Sequence, residues 1–269
     1  MWFTEKNDKL GLTLKITSRK SYPSNYQKIE VMETVQYGKM LVLDGLIQTT
    51  EKDEFIYHEM LVHVPMITHP HARDILIIGG GDGGAVRELC KYKGITITLV
   101  EIDEQVINVA IKEFPGISKA LHNKNVRIIN ADGSHFIKQA HHEYDLIIVD
   151  CSDPVSYSKS LFSEKFFVNI KKALKKDGIY AFQSESPFLY HDFLKRIRRS
   201  LVKHFPFVHH YLASIPTYPT GLWSFTLASL KHAIHPTSDK TNRIHSLHTR
   251  YFNAEIYASC FALPEWMKR

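Results

Sequence analysis

A run of glycines after a short apolar segment constrains the fold of this chain more than any other feature. Ile75-Leu76-Ile77-Ile78 predicts a buried parallel strand, and Gly79 to Gly84 follow it as Gly-Gly-Gly-Asp-Gly-Gly. Helix-forming residues with helically spaced apolar side chains come next, from Ala85 to Lys91. A strand, a glycine loop and a helix in this order present backbone N–H groups to a nucleoside-type ligand. The alternative is a tight turn that binds nothing.

Two acidic residues narrow the kind of ligand. Glu101 closes a second predicted strand, residues 95–100, about 20 residues after the glycines, where a carboxylate binds ribose hydroxyls. Asp82 stands inside the glycine loop and would repel a pyrophosphate, which disfavours a dinucleotide. The alternative for Asp82 is a solvated turn aspartate. A nucleoside without phosphate and with a cationic tail suits both acids, and S-adenosylmethionine is a ligand of this type.

The composition excludes several classes of protein. The 269 residues, 44% of them hydrophobic, allow one large α/β domain and a smaller appendage. We find no apolar run of about 18 residues and no signal-peptide pattern, so we expect a cytoplasmic protein without a membrane segment. Three widely spaced cysteines indicate reduced thiols, and 16 histidines without a ligand-type spacing indicate no metal.

The net charge of +6 leaves open a nucleic-acid-binding protein. Basic residues are scattered, however, and form one dense run at Lys195–Arg199, where apolar residues interleave them. This spacing is typical of the solvated face of an amphipathic helix. We therefore expect no nucleic-acid partner.

The order of predicted elements gives the fold class. Residues 1–56 alternate and turn as a small N-terminal antiparallel β domain, with a hairpin at Asp44-Gly45. Residues 57–269 follow as a Rossmann-like domain. Its strands are predicted at 75–78, 95–100, 126–129, 145–149 and 179–182, with helices at 85–92, 103–113, 134–141, 163–175 and 187–204, strands near 207–214 and 223–229, and a mixed tail. This alternation predicts an α/β fold with a parallel, doubly wound, methyltransferase-like Rossmann sheet.

Acidic residues follow the predicted strands at the edge where such sheets bind ligands. They are Asp82, Glu101, Asp132, Asp150 and Asp153. Helix capping explains one or two strand-end aspartates, but not all five. An acidic pocket beside a nucleoside site suits a sulfonium ligand and a polycationic partner. Of Asp150 and Asp153, one could accept a proton from a nucleophile while the other anchors a charged end of the same molecule.

These residues form a pattern that resembles spermidine synthase, of the polyamine aminopropyltransferase family. The matching motifs are Tyr26-Gln27, Leu43-Asp44-Gly45, Gln48-Thr49-Thr50, Asp53 to Met60, Gly79 to Gly84, Val100 to Asp103, Asp132-Gly133, Asp150 to Pro154, Pro216 to Trp223, and Phe261 to Pro264. The resemblance implies transfer of an aminopropyl group from decarboxylated S-adenosylmethionine to putrescine, giving spermidine and 5'-methylthioadenosine. The donor is a co-substrate, so the resemblance implies no cofactor.

The resemblance also implies a role for each matching position. Asp150 would accept the proton that frees the amine nitrogen for attack. The polyamine and aminopropyl chains would contact Tyr57, His58, Asp82, Cys151, Ser152, Asp153, Tyr218, Trp223 and Glu255. The nucleoside would contact Gln27, Gly79, Glu101, Asp132, Gly133 and Tyr157. Trp223 would line the diamine channel and Glu255 would hold its far end, although an aromatic residue near a strand start is usually part of the core.

One segment departs from the family pattern, and several alternatives stay open. Ser156-Tyr157 stand where the family usually has Gly-Pro, in the loop that covers the ligands, which leaves lid closure and substrate preference open. A methyltransferase can share the fold. The acceptor could be agmatine, cadaverine or spermidine instead of putrescine. The resemblance implies a homodimer or homotetramer.

Overall fold

The computed structural model of the chain describes residues 1–6, 10–151, 160–234 and 238–268. Its first part is an antiparallel sheet of five strands in sequential order. The strands are β1 (Trp2–Lys6), β2 (Gly11–Tyr22), β3 (Ile29–Thr34), β4 (Gly38–Leu43) and β5 (Leu46–Thr50). The predicted hairpin at Asp44-Gly45 joins β4 to β5, and the small N-terminal antiparallel β domain is confirmed.

A seven-stranded sheet with helices on both faces forms the rest of the fold. Its strands are β6 (Asp74–Gly79), β7 (Thr96–Glu101), β8 (Val126–Asn130), β9 (Tyr144–Asp150), β10 (Leu174–Gln183), β11 (Phe207–Ser214) and β12 (Leu222–Ser229), in the order β11-β12-β10-β9-β6-β7-β8. The helices are α1 (Glu54–Thr68), α2 (Gly84–Leu89), α3 (Glu104–Glu113), α4 (Pro115–Ser118), α5 (Gly133–Phe136), α6 (Glu164–Ala173), α7 (His191–Leu201), α8 (Ser238–His245), α9 (Ala254–Ser259) and α10 (Glu265–Lys268). The predicted α/β fold class is confirmed.

The strand β6 shows how the sequence builds two apolar layers. Successive side chains of a strand point to opposite faces of the sheet. Ile75 and Ile77 therefore pack in the layer that contains α1 and α2, while Leu76 and Ile78 pack in the layer that contains α6 and α7. Because both faces are covered, the strand can be apolar along its whole length.

The prediction of a parallel sheet was wrong for β12. This strand pairs antiparallel with both β10 and β11, whereas the other described strands of the large sheet run in one direction. The connection between β11 and β12 covers residues 215–221. A parallel crossover needs a dozen or more residues, so a connection this short can join only antiparallel neighbours.

Several predicted bounds also differ. The helix expected at 134–141 ends at Phe136, because the N–H groups of Lys138 and Gln139 bond to carbonyls three residues back and tighten the chain into turns. The helix expected from 187 begins at His191. Strand β10 was expected from residue 179 but begins at Leu174, and its pairing with β9 is irregular between Leu174 and Ile179. Helices α8 to α10 form the mixed tail.

Helix α1 follows the N-terminal sheet directly and is almost entirely buried. It begins at Glu54, so the predicted domain boundary after residue 56 falls inside its first turn. The helix continues through Pro65 to Thr68. Packing on all sides offsets the hydrogen bond that a proline cannot donate. Among the described residues, no helix is both long enough and apolar enough to cross a membrane.

Two acidic residues, Glu59 within α1 and Asp53 just before it, accept hydrogen bonds from distant parts of the chain. The carboxylate of Glu59 accepts hydrogen bonds from the backbone N–H groups of Arg250, Tyr251 and Phe252, each at 2.8 Å. At the start of the helix, Asp53 Oδ2 accepts from the N–H and the hydroxyl of Thr217, at 3.0 and 2.7 Å. These bonds fix the C-terminal segment and the 215–221 connection against α1.

Candidate active site

A cavity of about 210 Å³ lies at the carboxyl ends of β6, β7 and β9, and the N-terminal sheet covers its other side. The structure brings four of the five predicted acids together in its lining, and the fifth, Asp153, lies outside the described residues. The predicted residues that line the cavity are Gln27, Tyr57, His58, Gly79, Asp82, Glu101, Asp132, Gly133, Asp150, Cys151, Tyr218 and Trp223. This is the crevice in which open α/β sheets bind ligands.

The glycine loop places backbone atoms against the end of β9. Gly79 pairs in register with Asp150, and its φ of +82° lies in the left-handed region. A Cβ atom at residue 79 would stand 2.1 Å from the carbonyl oxygen of Asp150. Position 79 therefore requires glycine for both its conformation and its space. The strand-loop-helix motif consequently brings the loop and the end of β9 to one wall of the cavity.

One wall of the cavity is built around the end of β7, where a nucleoside is predicted to bind. Glu101 Oε2 accepts from the N–H of Gly81 at 3.2 Å, and its Oε1 accepts from the N–H of Asp103 at 2.9 Å. Burial raises the pKa of Glu101 to about 7, with a further contribution from Asp103, and the backbone hydrogen bonds oppose the shift. Gln27 Nε2 donates to Asp103 Oδ2 at 3.0 Å, which ties the N-terminal sheet to this wall.

Asp132 both caps a helix and faces the cavity. Its Oδ1 accepts from the N–H of Ser134 at 2.7 Å, so the capping interpretation holds for this residue. Burial opposes ionisation, but the bonds from Ser134 lower the pKa of Asp132 below its ordinary value. At the neighbouring Gly133, a Cβ atom would lie 2.2 Å from Cγ2 of Ile78, so the backbone approaches β6 closely at this point.

Asp150 has one oxygen occupied and one available. Its Oδ1 accepts a hydrogen bond from the hydroxyl of Tyr57 at 2.7 Å. Its Oδ2 is buried and has no hydrogen-bond partner among the residues that the structure describes. Burial raises the pKa of Asp150 to about 6 and Asp82 adds to the rise, while His58 and Tyr57 oppose it. Such a carboxylate can accept a proton near neutral pH.

His58 lies between two carboxylates at the base of the cavity. Its Nδ1 is 2.6 Å from Glu54 Oε2, and its Nε2 is 3.4 Å from Asp82 Oδ2. Burial alone would lower the pKa of His58, but Asp82 and Glu54 raise it well above 6.5. Burial likewise opposes ionisation of Asp82, yet His58 and the bonds from Gly84 and Thr49 lower the pKa of Asp82 to about 2. The two side chains are therefore a buried ion pair.

Three aromatic residues line the cavity beside Asp150. The ring of Tyr218 lies edge-on to Tyr57, with centroids 5.8 Å apart, and to Trp223, with centroids 4.6 Å apart. The hydroxyl of Tyr218 donates to the carbonyl of Gln48 at 2.7 Å. Because Asp53 holds Thr217, the loop that carries Tyr218 is fixed to α1. The aromatic walls suit the methylene chain of a diamine.

The structure does not place Glu255 at the cavity. This side chain is exposed on α9 and is not part of the cavity lining. Helix α9 turns Tyr257 into the core, and a residue two positions earlier on a helix points the opposite way. Ser152, Ser156 and Tyr157, like Asp153, lie outside the described residues, so the predictions that concern them stay predictions.

Two functional candidates were missed by the sequence analysis. Glu5 of β1 is buried and lines the cavity, and its Oε2 accepts from the N–H of Ile47 at 2.7 Å. The sequence did contain a signal for Glu5. Side chains two residues apart on a strand share a face, so Glu5 lies on the same inward face as Phe3. Gln183 ends β10 and also lines the cavity. Its position at the end of a strand is the same signal that indicated the acidic residues, but it carries an amide in place of a carboxylate.

Two groups of metal-ligand-type side chains occur among the described residues: His58 with Asp82 and Asp150, and His69 with Asp177 and His232. The first group contains a protonated histidine, which has no lone pair for a metal. In the second, His69 Nδ1 accepts from the N–H of His71, which puts the ring proton on Nε2, the atom that faces Asp177. A charge pair therefore explains the first group better than metal ligation, while in the second group His69 Nε2 and Asp177 Oδ1 are 3.9 Å apart, too far for a hydrogen bond.

The fold and the acid-lined cavity define a class of protein, a methyltransferase-like α/β transferase. Residues 54–238 match the spermine/spermidine synthase domain, and residues 1–51 match the spermidine synthase tetramerisation domain. The chain belongs to the spermine/spermidine synthase family, the polyamine aminopropyltransferases. The predicted resemblance and the predicted transferase class are confirmed.

Named relatives and solved structures agree with this assignment. A polyamine aminopropyltransferase of Bacillus cereus is 41% identical over 99% of this chain and 98% of its own length. One from Alkaliphilus metalliredigens is 44% identical over 100% of this chain and 96% of its own length. A spermidine synthase in complex with the transition state analogue AdoDATO superimposes with a TM-score of 0.94 at 35% identity, covering 100% of this chain and 94% of that one. Spermidine synthase from Thermotoga maritima gives 0.92 at 36% identity, with 100% and 93% covered.

Proposed function

We propose that this enzyme transfers the aminopropyl group of decarboxylated S-adenosylmethionine to putrescine, giving spermidine and 5'-methylthioadenosine. The observation that carries this proposal is the buried Oδ2 of Asp150, which faces the cavity without a hydrogen-bond partner among the described residues. A base held in place by Tyr57 beside a diamine-sized aromatic channel suits a protonated amine acceptor.

The proposed reaction is a direct displacement. The amine nitrogen attacks the carbon attached to the sulfonium, a C–N bond forms, and the C–S bond breaks with its electron pair passing to sulfur. Asp150 takes the proton that the amine loses. Because the pKa of Asp150, about 6, is below that of an amine, desolvation and positioning must supply much of the rate. Tyr57 and Tyr218 orient the attacking nitrogen.

The donor binds with its nucleoside between the N-terminal sheet and the end of β7. Glu101 holds the ribose hydroxyls, Asp132 the amino group of adenine, and Gln27, Gly79 and Gly133 the remaining contacts. Asp82 faces the amine of the aminopropyl group. The carboxylate that S-adenosylmethionine carries beside this amine is absent from the decarboxylated donor. A methyltransferase is less well supported, because the intact carboxylate of S-adenosylmethionine would meet Asp82 and Asp150 in the same cavity.

The acceptor lies along Trp223, and its far ammonium group is held by Glu5 instead of Glu255. Glu5 bonds to Ile47, the residue before Gln48, whose carbonyl accepts from Tyr218. The carboxylate is therefore on the amine side of the cavity. Agmatine, cadaverine and spermidine are the competing acceptors, and they differ in the length and charge that must fit between Asp150 and Glu5.

We also propose that residues 1–51 assemble the enzyme into a homodimer or homotetramer, because this segment matches the spermidine synthase tetramerisation domain. The proposed location is the cytoplasm, and the proposed reaction uses no metal and no cofactor, since the donor is consumed as a co-substrate.

The test is product analysis with purified enzyme. S-Adenosylmethionine and its decarboxylated form would each be offered with putrescine, cadaverine, agmatine or spermidine. Formation of 5'-methylthioadenosine from the decarboxylated donor alone, fastest with putrescine, would support the proposal. A methylated product would replace it with the methyltransferase alternative, and a faster amine would replace putrescine as the acceptor.

A further inference from the structure

A chain of alternating charges leads from helix α2 to the floor of the cavity. Arg87 Nη1 and Nη2 donate to the two oxygens of Glu54 at 2.8 and 2.9 Å. Glu54 Oε2 lies 2.6 Å from His58 Nδ1, and His58 Nε2 lies 3.4 Å from Asp82 Oδ2. The His58 ring, Asp82 and Asp150 offer atoms that all lie within 4.8 Å of one another. The chain therefore ends at the proposed catalytic base.

The interior links of this chain are shielded from water. The side chains of Glu54 and His58 are only 4% and 2% exposed, so their charges interact in a low-dielectric environment. Burial opposes ionisation of Glu54, but His58 and Arg87 lower the pKa of its carboxyl. Removing one member would strand its neighbour as a buried, uncompensated charge.

Arg87 itself is oriented from two sides. Its Nε donates to Glu88 Oε1 at 2.9 Å, while its other nitrogens form the two-pronged bond to Glu54. A guanidinium held in this way presents a fixed plane to Glu54, which a flexible ammonium cannot reproduce. Helix α2 thus transmits a defined geometry to a residue of α1.

Gly84, at the start of α2, completes the arrangement. A Cβ atom at residue 84 would lie 2.2 to 2.4 Å from three atoms of the His58 ring. The glycine leaves the space in which the imidazole stands, and its N–H donates to Asp82 Oδ1 at 2.9 Å. The ring is confined by α2 on one side and by Glu54 on the other, so its orientation is set by packing as well as by charge.

We propose that Arg87 is a positioning residue: through Glu54 it fixes the His58 ring as the positive charge between Asp82 and Asp150. The inference rests on the proposed function, because it assigns Asp150 as the base. In this arrangement, His58 keeps Asp82 in place for the donor amine and keeps Asp150 able to ionise before substrates bind. Arg87 lowers the pKa of Glu54, so without Arg87 the buried Glu54 carboxyl would take the proton that it shares with His58, and the ring would become neutral.

The pH dependence of this site involves a defined set of groups. Charged and titratable groups surround His58 on several elements. The helices contribute Glu54, Tyr57 and His58 itself on α1, and Arg87 and Glu88 on α2. The other segments contribute Asp82 in the glycine loop, Asp150 and Cys151 at the end of β9, and Tyr218 in the 215–221 connection. His58 supplies the positive charge nearest to Asp150 in this set and opposes protonation of that carboxylate. Loss of the histidine charge should therefore make Asp150 harder to ionise.

The main experiment compares Arg87→Met with the wild-type enzyme. The variant should lose on the order of 10-fold in kcat, because the reacting groups are misplaced. The acid limb of its pH–rate profile should move to higher pH by about one unit, because Asp150 loses the charge that opposes its protonation. Arg87→Lys should recover part of the rate and part of the shift.

Two further variants separate positioning from general destabilisation. Arg19 forms a similar two-pronged pair with Glu30 in the N-terminal sheet, at 2.6 and 2.8 Å, so Arg19→Met removes a matched pair remote from the cavity. It should leave the pH–rate profile unchanged. If Arg87→Met fails to fold, the double variant Arg87→Met/Glu54→Gln removes both charges without leaving a buried carboxylate unpaired, and the same shift is expected.

The second readout does not depend on turnover. Nitrogen NMR of the ligand-free wild-type protein should show both His58 ring nitrogens protonated through neutral pH, and in Arg87→Met the ring should titrate within the accessible range. If His58 is unchanged and kcat falls without a pH shift, Arg87 is only structural and the inference is overturned. If the wild-type enzyme transfers no aminopropyl group, the proposed function fails, while the NMR result still decides the charge chain.

Discussion

Gly79 and Asp150 stand side by side at the ends of adjacent parallel strands, paired in register. The space that a side chain at residue 79 would need is filled by the carbonyl oxygen of Asp150. The ligand-binding loop and the proposed catalytic base are thus positioned by one backbone contact. A substitution that shifts the backbone of either residue should therefore shift the other residue as well.

Replacing Gly79 with alanine should therefore damage both stability and catalysis. The Cβ would collide with backbone, and the positive φ would be strained, so the melting temperature should fall by roughly 5 °C or more. Gly116→Ala is the matched control, because a Cβ there meets nothing within 4 Å. Thermal unfolding of the two variants checks the prediction, and equal stability would contradict it.

Replacing Asp150 with asparagine should reduce kcat by about 10²-fold or more, because the amide cannot accept the proton of the amine. Binding of 5'-methylthioadenosine should be nearly unchanged, since this product lacks the aminopropyl chain and is not the amine that Asp150 deprotonates. Steady-state kinetics and calorimetry measure the two effects separately. Unchanged turnover would remove Asp150 from the proposed role.

The rate should also depend on pH through Asp150. Burial raises the pKa of this carboxyl to about 6 in the ligand-free enzyme, and the base works only when ionised. The value of kcat/KM should therefore be maintained above pH 6 and decline about tenfold per unit once pH falls well below it. A profile that stays level down to pH 4 would show that the carboxyl has an ordinary pKa.

Asp82→Asn should distinguish the donor from its product. The proposed contact is with the aminopropyl amine, so the variant should weaken binding of decarboxylated S-adenosylmethionine by about 10-fold or more. Affinity for 5'-methylthioadenosine, which lacks that amine, should change little. Equal losses for the two ligands would mean that Asp82 supports the loop and does not contact the donor tail.

Comparing Glu5→Gln with Glu255→Gln tests which carboxylate binds the far ammonium group of the diamine. Glu5 lines the cavity and Glu255 is exposed on α9, so the KM for putrescine should rise about 10-fold in the first variant and stay constant in the second. Kinetics with the donor at saturation give both values. The opposite result would restore Glu255 as the group at the far end of the channel.

Local patterns in the sequence predicted most of the large sheet and part of the site. The apolar run of β6, the glycine loop and the acids at strand ends are short-range signals, because strand period and turn chemistry depend on neighbouring residues. They were sufficient to bring Asp82, Glu101, Asp132 and Asp150 to one edge. The antiparallel direction of β12 was not predicted. The short connection of residues 215–221 indicates it, because a parallel crossover would need more residues.

The remaining features depend on contacts between distant residues. Glu5 approaches the cavity only because the N-terminal sheet covers it, and Glu54 meets Arg87 only when α1 packs on α2. No spacing within a single element indicates such pairs. The same limit applies to Glu255, because the sequence pattern does not indicate which face of α9 turns to solvent.

The bonds that Glu59 accepts from residues 250–252 have a consequence for synthesis of the protein. The helix that carries Tyr57 and His58 is translated first, whereas the N–H groups that donate to Glu59 are translated 191 to 193 residues later. A ribosome-bound product that stops before residue 250 would have to bury a carboxylate without donors or leave the helix partly undocked. Completion of the floor of the cavity is consequently coupled to synthesis of residues 250–252, and truncation before residue 250 should act as a mutation of the proposed active site.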